Sequence, residues 1–248
     1  MRTNEKLDTK KMTMMAMLSA IAILLVTMVR IPAVAFLYYE PKDVAIVIGG
    51  FLFGPLAALM ISIVVSFVEM FTVSADGFYG LFMNIIASST FACTAAFVYK
   101  RNRTLKGAVI GLIAGVAINV PVMLLWNYLI VPFYLGVPRE VVAGMLIPIF
   151  LPFNLIKGVL NVAFIMMIYK PFSIALKKSG MFPSDPSPVS KGSKKKNLGV
   201  ILVCLFAILT CVLFMFALRN YSNNESGSGN VQNYYEYGSE ASGDYYDE

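Results

Sequence analysis

The sequence predicts an all-α integral membrane protein, built from a six-helix bundle and one additional C-terminal transmembrane helix. Of its 248 residues, 58% are hydrophobic and only 14% are charged, whereas soluble domains are about 45–50% apolar and about 25% charged. Lipid must therefore be the solvent for most of the chain. The apolar residues are gathered in runs at 12–29, 44–53, 56–73, 81–99, 107–131, 145–169 and 198–218.

The second run is too short to cross a membrane alone, because a spanning helix needs about 20 mostly apolar residues. It ends at the pair Gly54-Pro55, where a turn is expected. A short helix at membrane depth must be shielded by neighbouring protein. We therefore expect run two to pack inside the bundle, and we expect the chain to turn back through run three.

The basic residues predict which side of the membrane each loop occupies. Cytoplasmic loops carry an excess of Lys and Arg. Here the excess lies before run one, between runs four and five, and after run six. We expect a multi-pass protein with a cytoplasmic N-terminus. Because these charges fall between apolar runs, the net charge of +6 does not indicate nucleic-acid binding.

The residue types exclude several kinds of catalysis. The chain contains no histidine, which removes the commonest general base and metal ligand. Walker A, GxSxG and HExxH motifs are absent as well. The cysteines Cys93, Cys204 and Cys211 lie in apolar runs without CxxC spacing, which is typical of small buried side chains. We therefore expect no enzymatic activity, no ATPase activity and no metal site.

Composition changes after run six. Residues 182–193 are rich in Pro, Ser and Lys, and the Gly/Ser/Asn tail after run seven carries six tyrosines and six acidic residues. The predicted divisions are a six-helix membrane domain at 1–178, a cytoplasmic linker at 179–197, an extra helix at 198–218 and a disordered extracellular tail at 219–248. A flexible linker predicts that the extra helix and tail are dispensable for ligand binding. The alternative is that this helix packs against the core and stabilises it.

A polar stripe in run six is the first candidate for a binding site. Asn154, Lys157 and Asn161 are spaced i, i+3, i+7 and so share one helix face. Pro148 and Pro152 lie just upstream, and each removes a backbone donor. Polar groups and bent backbone at membrane depth are tolerated where they line a cavity.

The depths of the polar residues predict where that cavity opens. Counted from the outer end of run six, Asn154 lies roughly 13 Å deep and Lys157 roughly 18 Å deep. Asn127 lies about 6 Å deep in run five. These groups converge in the outer half of the bilayer, which favours an outward-facing pocket. The alternative is structural: Lys157 pairs with Glu69 of run three, and the asparagines join helices.

The loop after run one is long and aromatic. Its residues Tyr38, Tyr39 and Glu40 are equally compatible with an interfacial belt and with a lid over a ligand. Asp43 directly precedes the apolar part of run two, so its expected role is that of a helix N-cap.

Small residues at four-residue spacing indicate close helix packing. Ala16 and Ala20 share one face of run one, and Gly107, Gly111 and Gly115 share one face of run five. Such faces let helices approach closely. The pattern is common in membrane proteins, so a role in binding a partner stays open for each face.

Several blocks of this sequence resemble the substrate-binding S-components of energy-coupling factor (ECF) transporters, and the riboflavin-specific type most of all. The blocks are YEPKDVA at 39–45, GFLFGP at 50–55, NY at 127–128 with Pro132 and Tyr134, and LPFNLIKG at 151–158. The resemblance covers residues 10–178. It implies six helices, a bacterial cell membrane location and high-affinity binding of riboflavin as a transported ligand, with no cofactor and no catalysis.

The resemblance also implies roles for particular residues. Asn127, Asn154 and Lys157 would contact the flavin, and the loop residues Tyr38, Tyr39 and Glu40 would close over it. The implied partners are a transmembrane coupling subunit, docked at Ala16 and Ala20, and two ATPase subunits on the cytoplasmic side.

Two departures leave alternatives open. Where many members of that family have a Lys-Asn pair in run three, this chain has Ser66 and Glu69, and the extra helix lies outside the resemblance. The chain could be an S-component for another vitamin, or a membrane sensor or enzyme that uses Glu69 and Lys157. The absence of histidine argues against the enzyme.

Overall fold

The structure, a computed structural model, describes residues 9–34, 37–73, 77–178, 205, 208–214 and 216–217. Its elements follow the predicted runs closely. They are α1 (Thr9–Met28), β1 (Ile31–Val34), β2 (Leu37–Tyr39), α2 (Lys42–Phe53), α3 (Pro55–Thr72), α4 (Gly77–Arg101), α5 (Leu105–Leu135), α6 (Arg139–Met145), a π-helical turn (Leu146–Phe150) and α7 (Leu151–Lys178).

The predicted helical membrane architecture is confirmed. Within the described part of the chain, five helical segments are long and apolar enough to cross a membrane: Lys11–Met28, Pro55–Thr72, Gly77–Arg101, Leu105–Leu135 and Arg139–Tyr169. Many of their large apolar side chains are exposed, as lipid-facing residues must be. The count of six helices plus one stays a prediction.

The short helix α2 is the centre of the bundle. Ten of its residues, from Lys42 to Phe51, are buried, and it packs against α1, α3, α4 and α7. The expected shielding of run two is therefore confirmed. Gly54 joins α2 to α3 with a φ of 94°, a conformation that side chains with a Cβ rarely adopt, and Pro55 then starts α3 at its first turn.

The glycine face of α5 lies against α4. A Cβ added at Gly111 would come within 2.7 Å of the carbonyl oxygen of Ala95, and one at Gly115 within 2.9 Å of the carbonyl oxygen of Phe91. The predicted close approach is thus made between backbones. The small residues of α1 differ, because Ala16 and Ala20 are both exposed.

A small antiparallel β-hairpin forms in the loop after α1, and sequence patterns did not predict it. Strand β1 pairs with β2 through Ile31 opposite Tyr39 and Pro32 opposite Tyr38.

The expectation that Asp43 caps α2 is wrong: the cap position is Pro41, with no side-chain capping bond. Asp43 lies inside the first helical turn, where a carboxylate is favoured by the helix dipole.

Run six is interrupted, as its prolines predicted. The π-helical turn at Leu146–Phe150 contains Pro148 and separates α6 from α7. Such turns are rare in proteins as a whole, and those that occur often lie at functional sites. Here the turn sits one helical turn before the polar stripe of α7.

The C-terminal run is described only in part, and the predicted linker and tail lie outside the described residues. Residues 208–214 are helical. Ile208 and Cys211 are partly buried and pack against a core cluster that includes Tyr39, Phe150 and Phe153. This packing favours the alternative that the extra helix contacts the core.

We predict that Gly111→Ala lowers the stability of the protein, because its new methyl group would overlap the Ala95 carbonyl and push α4 and α5 apart. Overpacking of this kind costs about 1–3 kcal/mol. Thermal unfolding in detergent measures the effect. Gly144→Ala is the matched control, since a Cβ there meets no atom within 4 Å, and equal unfolding temperatures for both variants would contradict the close contact.

Candidate functional site

A cleft opens at the end of the bundle where α1, α3 and α5 end and α4 begins, beside the hairpin. It contains about 880 Å³ of space free of protein atoms, a volume that includes its open mouth. Its polar and aromatic lining residues are Arg30, Tyr38, Glu40, Glu69, Tyr79, Asn84, Asn119, Trp126, Asn127, Tyr134, Phe153, Asn154 and Lys157.

The structure brings most of the predicted site residues together. Asn127, Asn154 and Lys157 all line the cleft, from two different helices. Tyr38 and Glu40 of the loop line it as well. Tyr39 does not: it is buried, and its hydroxyl donates to Asn161 Oδ1 at 3.1 Å. Contact of these residues with a ligand stays a prediction.

Asn127 is the most unusual residue of the cleft. Its side chain is 1% exposed, yet among the described residues neither its amide nitrogen nor its carbonyl oxygen has a hydrogen-bond partner. A buried polar group without a partner costs about 1–3 kcal/mol, and such groups in native proteins call for an explanation. Trp126 Nε1 and Asn119 Oδ1, in the same lining, share this property.

The neighbouring groups are held in place. Asn154 donates from Nδ2 to the backbone oxygen of Phe150 at 2.8 Å, so the π-helical turn fixes this side chain at the wall. Tyr79 and Tyr134 form an edge-on ring pair with centroids 6.0 Å apart. The wall therefore combines oriented amides with aromatic surface.

A cluster of buried charges forms the base of the cleft beside the hairpin. Lys42 is fully buried, and its ammonium binds Glu40 at 2.7 Å and also Glu69. Arg30 Nε lies 3.2 Å from Glu40 Oε1, and Asn84 donates to Glu69 Oε1 at 2.9 Å. Each carboxylate thus has at least two polar partners, as burial of charge requires.

The electrostatics of the loop keep Glu40 and Lys42 ionised. Burial alone would raise the pKa of Glu40, but Lys42, Lys157 and Arg30 outweigh it and hold this pKa below its usual range. Burial would lower the pKa of Lys42, but the nearby carboxylates Glu40, Glu69 and Asp43 outweigh it and raise this pKa. The charged forms are therefore the stable ones near neutral pH.

A second polar centre surrounds Asp43. Ser88 donates to Oδ1 at 2.6 Å, and Asn161 donates to Oδ2 at 3.0 Å. Lys157 Nζ lies 3.9 Å from Oδ2, too far for a hydrogen bond. The alternative that Lys157 pairs with Glu69 is therefore wrong: Asp43 is the nearer carboxylate, and Glu69 is bound by Lys42.

Sequence reasoning missed Lys42, Asn84 and Trp126. It gave Lys42 no role beyond its place in the block YEPKDVA at 39–45. A stronger signal was present, because this lysine is flanked by Glu40 and Asp43 just before an apolar helix. Asn84 and Trp126 lie in predicted spans, where a polar group or an indole nitrogen needs a partner.

The arrangement is suited to binding rather than to catalysis. Among the described residues, no group of three or more His, Cys, Asp or Glu side chains could hold a metal ion. The acidic groups are already neutralised by cations. Among the described lining residues, amides and an indole carry side-chain atoms without a hydrogen-bond partner. Such groups bind ligands whose edges carry hydrogen-bond donors and acceptors.

We predict that Lys42→Met destabilises the protein by about 3–5 kcal/mol at pH 8, since it leaves Glu69 buried without its cation and leaves Glu40 paired with Arg30 alone. A buried carboxylate that has lost its counter-charge is less costly when protonated, so stability should recover as the pH falls toward 5. Thermal unfolding against pH measures both effects. The exposed Lys106→Met is the control; a Lys42→Met profile that matches it would show that the pairs contribute nothing.

Comparison with known proteins gives the family. The family model for the substrate-specific component of ECF transporters matches residues 10–169. The chain is 28% identical over 178 residues to the riboflavin transporter RibU of Staphylococcus aureus (68% of this chain, 93% of that protein). It is 30% identical over 178 residues to the riboflavin transporter FmnP of Bacillus subtilis (65% and 91%).

The fold agrees with this result. The solved S component of a bacterial ECF transporter aligns with a TM-score of 0.59 at 29% identity, covering 68% of this chain and 98% of that one. The family match spans well over half of the sequence. This chain therefore belongs to the substrate-specific components of ECF transporters, the family that its sequence blocks resemble.

Proposed function

We propose that this protein is the high-affinity riboflavin-binding subunit of an ECF-type uptake transporter in the bacterial cell membrane. The observation that carries the proposal is Asn127, a buried carboxamide in the cleft wall whose donor and acceptor atoms both lack a described partner. A ligand that offers an acceptor and a donor side by side would satisfy it. Riboflavin transporters are among the most similar relatives.

The chemistry of a flavin fits the lining. The edge of its ring system carries carbonyl acceptors and an N–H donor, which match the donor and acceptor of an asparagine side chain. Its flat face can pack on aromatic rings such as Trp126, Tyr79 and Tyr134. A site built on buried hydrogen bonds discriminates strongly against molecules that lack the partner groups.

Lys157 supplies a charged donor within the same wall. Its ammonium keeps a counter-charge in Asp43 but forms no hydrogen bond with it at 3.9 Å. It is therefore available to a ligand carbonyl, and such a charge-assisted bond contributes about 1.5–3 kcal/mol. Tyr38 of β2 and Glu40, which follows this strand, also line the cleft and would complete the enclosure.

The cleft would face the outside of the cell. It lies at the opposite end of the bundle from the basic loop between α4 and α5, which the distribution of positive charge assigns to the cytoplasm. The N-terminus would then be cytoplasmic as well. A coupling subunit and two ATPase subunits would supply the energy, and the exposed face of Ala16 and Ala20 on α1 would receive the coupling subunit.

We predict that Asn127→Ala weakens riboflavin binding about tenfold and Lys157→Met weakens it by one to two decades, from the hydrogen bonds each would lose. Quenching of flavin fluorescence on titration of purified protein measures affinity. The surface variants Asn102→Ala and Lys106→Met are matched controls. Wild-type affinity in the two cleft variants would refute the site, whereas a wild-type protein that binds thiamine or biotin but not riboflavin would refute the vitamin.

We predict that Ala16→Leu abolishes riboflavin uptake by cells while leaving riboflavin binding intact. Leucine would fill the exposed small-residue face and prevent close approach of a partner helix. Ala22→Leu is the contrasting variant, because Ala22 is fully buried and its enlargement should impair folding itself. Loss of binding in purified Ala16→Leu protein would instead assign this face to the internal fold.

A further inference from the structure

The described part of the C-terminal run has two unlike faces. Ile208 and Cys211, three residues apart and therefore on one side of a helix, are partly buried against the core. Leu209, Leu213 and Phe216 are more than half exposed. A helix standing free in lipid would be exposed on all sides, so this segment is seated on the rest of the protein.

The surface that receives the segment is the back of the cleft wall. Ile208 and Cys211 pack against the core cluster of Ala33, Leu37, Tyr39, Val131, Val142, Phe150, Phe153, Ile156 and Leu160. Leu37, Val131 and Phe153 of this cluster also line the cleft. The cluster that receives the segment therefore also forms part of the wall around the space proposed for the ligand.

Both strands of the hairpin contribute to that layer, through Ala33 from β1 and through Leu37 and Tyr39 from β2. A two-stranded hairpin is marginally stable by itself, so its position depends on what packs against it. Cys211 packs against the cluster that contains Tyr39, so the segment and the hairpin share one apolar contact surface.

We infer that segment 208–214 is an intramolecular brace, which packs behind the hairpin and slows the exchange of ligand through the cleft mouth. The inference rests on the proposed function for the identity of the ligand. Leu37 and Tyr38 of β2 line the cleft beside its mouth. A ligand enclosed by Tyr38 as proposed above would leave past β2 only when the strand moves, and apolar contacts behind the strand resist that movement. The brace acts on the rate of exchange, since it touches no atom of the cleft space itself.

The test compares two double variants in the full chain. Ile208→Ala/Cys211→Ala removes side-chain contacts on the seated face, and Leu209→Ala/Leu213→Ala removes similar apolar groups from the exposed face. The first readout is the rate of riboflavin release after rapid dilution, followed by recovery of flavin fluorescence. The second is hydrogen exchange of the amides in β1 and β2, which needs no ligand and reports opening of the hairpin.

We expect the seated-face variant to release riboflavin roughly three- to tenfold faster and to exchange the hairpin amides faster by a similar factor, with the exposed-face variant unchanged. Equal release rates in the two variants would overturn the inference, even if the amide exchange differed. If the wild-type chain binds no riboflavin, the proposed function fails, and the amide exchange alone decides: unchanged exchange in the seated-face variant overturns the brace.

Discussion

Lys42 lies between Glu40 and Glu69 without exposed surface, and the position of the hairpin depends on this contact. Arg30 precedes β1, Glu40 follows β2, and the two residues form an ion pair. The base of the hairpin is thus clamped and tied through Lys42 to α2 and α3. Because each charge is buried with its counter-charge, the cluster tolerates only the arrangement in which all partners meet.

The same cluster determines how the cleft can select a ligand. The charged residues that line the cleft are Arg30 and Lys157, which are positive, and Glu40 and Glu69, which are negative. The positive and negative charges of the lining therefore balance. A neutral wall offers little attraction to a ligand on the basis of net charge. Selection then depends on the direction and number of hydrogen bonds, which is where the unpaired amide of Asn127 matters.

Helices and their approximate limits were predictable because they depend on runs of apolar residues and on glycine and proline at the ends. The convergence of Asn127, Asn154 and Lys157 was predictable from helix periodicity and depth. The partners of these residues were not, since periodicity says nothing about which helices are neighbours. The structural alternative for Lys157 therefore named Glu69, whose partner is Lys42. Asp43 was predicted to be a helix cap, although its partners Ser88 and Asn161 come from two other helices.

The burial of α2 has a consequence for how the chain enters the membrane. Its first turn carries Lys42 and Asp43, and a charged residue inside an inserting helix opposes insertion by up to about 2.5–3.5 kcal/mol. With twelve residues, α2 gains too little from its apolar side chains to insert by itself. We expect it to enter together with α3 as a helical pair around the Gly54-Pro55 corner, where Glu69 of α3 supplies a counter-charge for Lys42. Insertion of α2 therefore depends on the helix that follows it in the sequence.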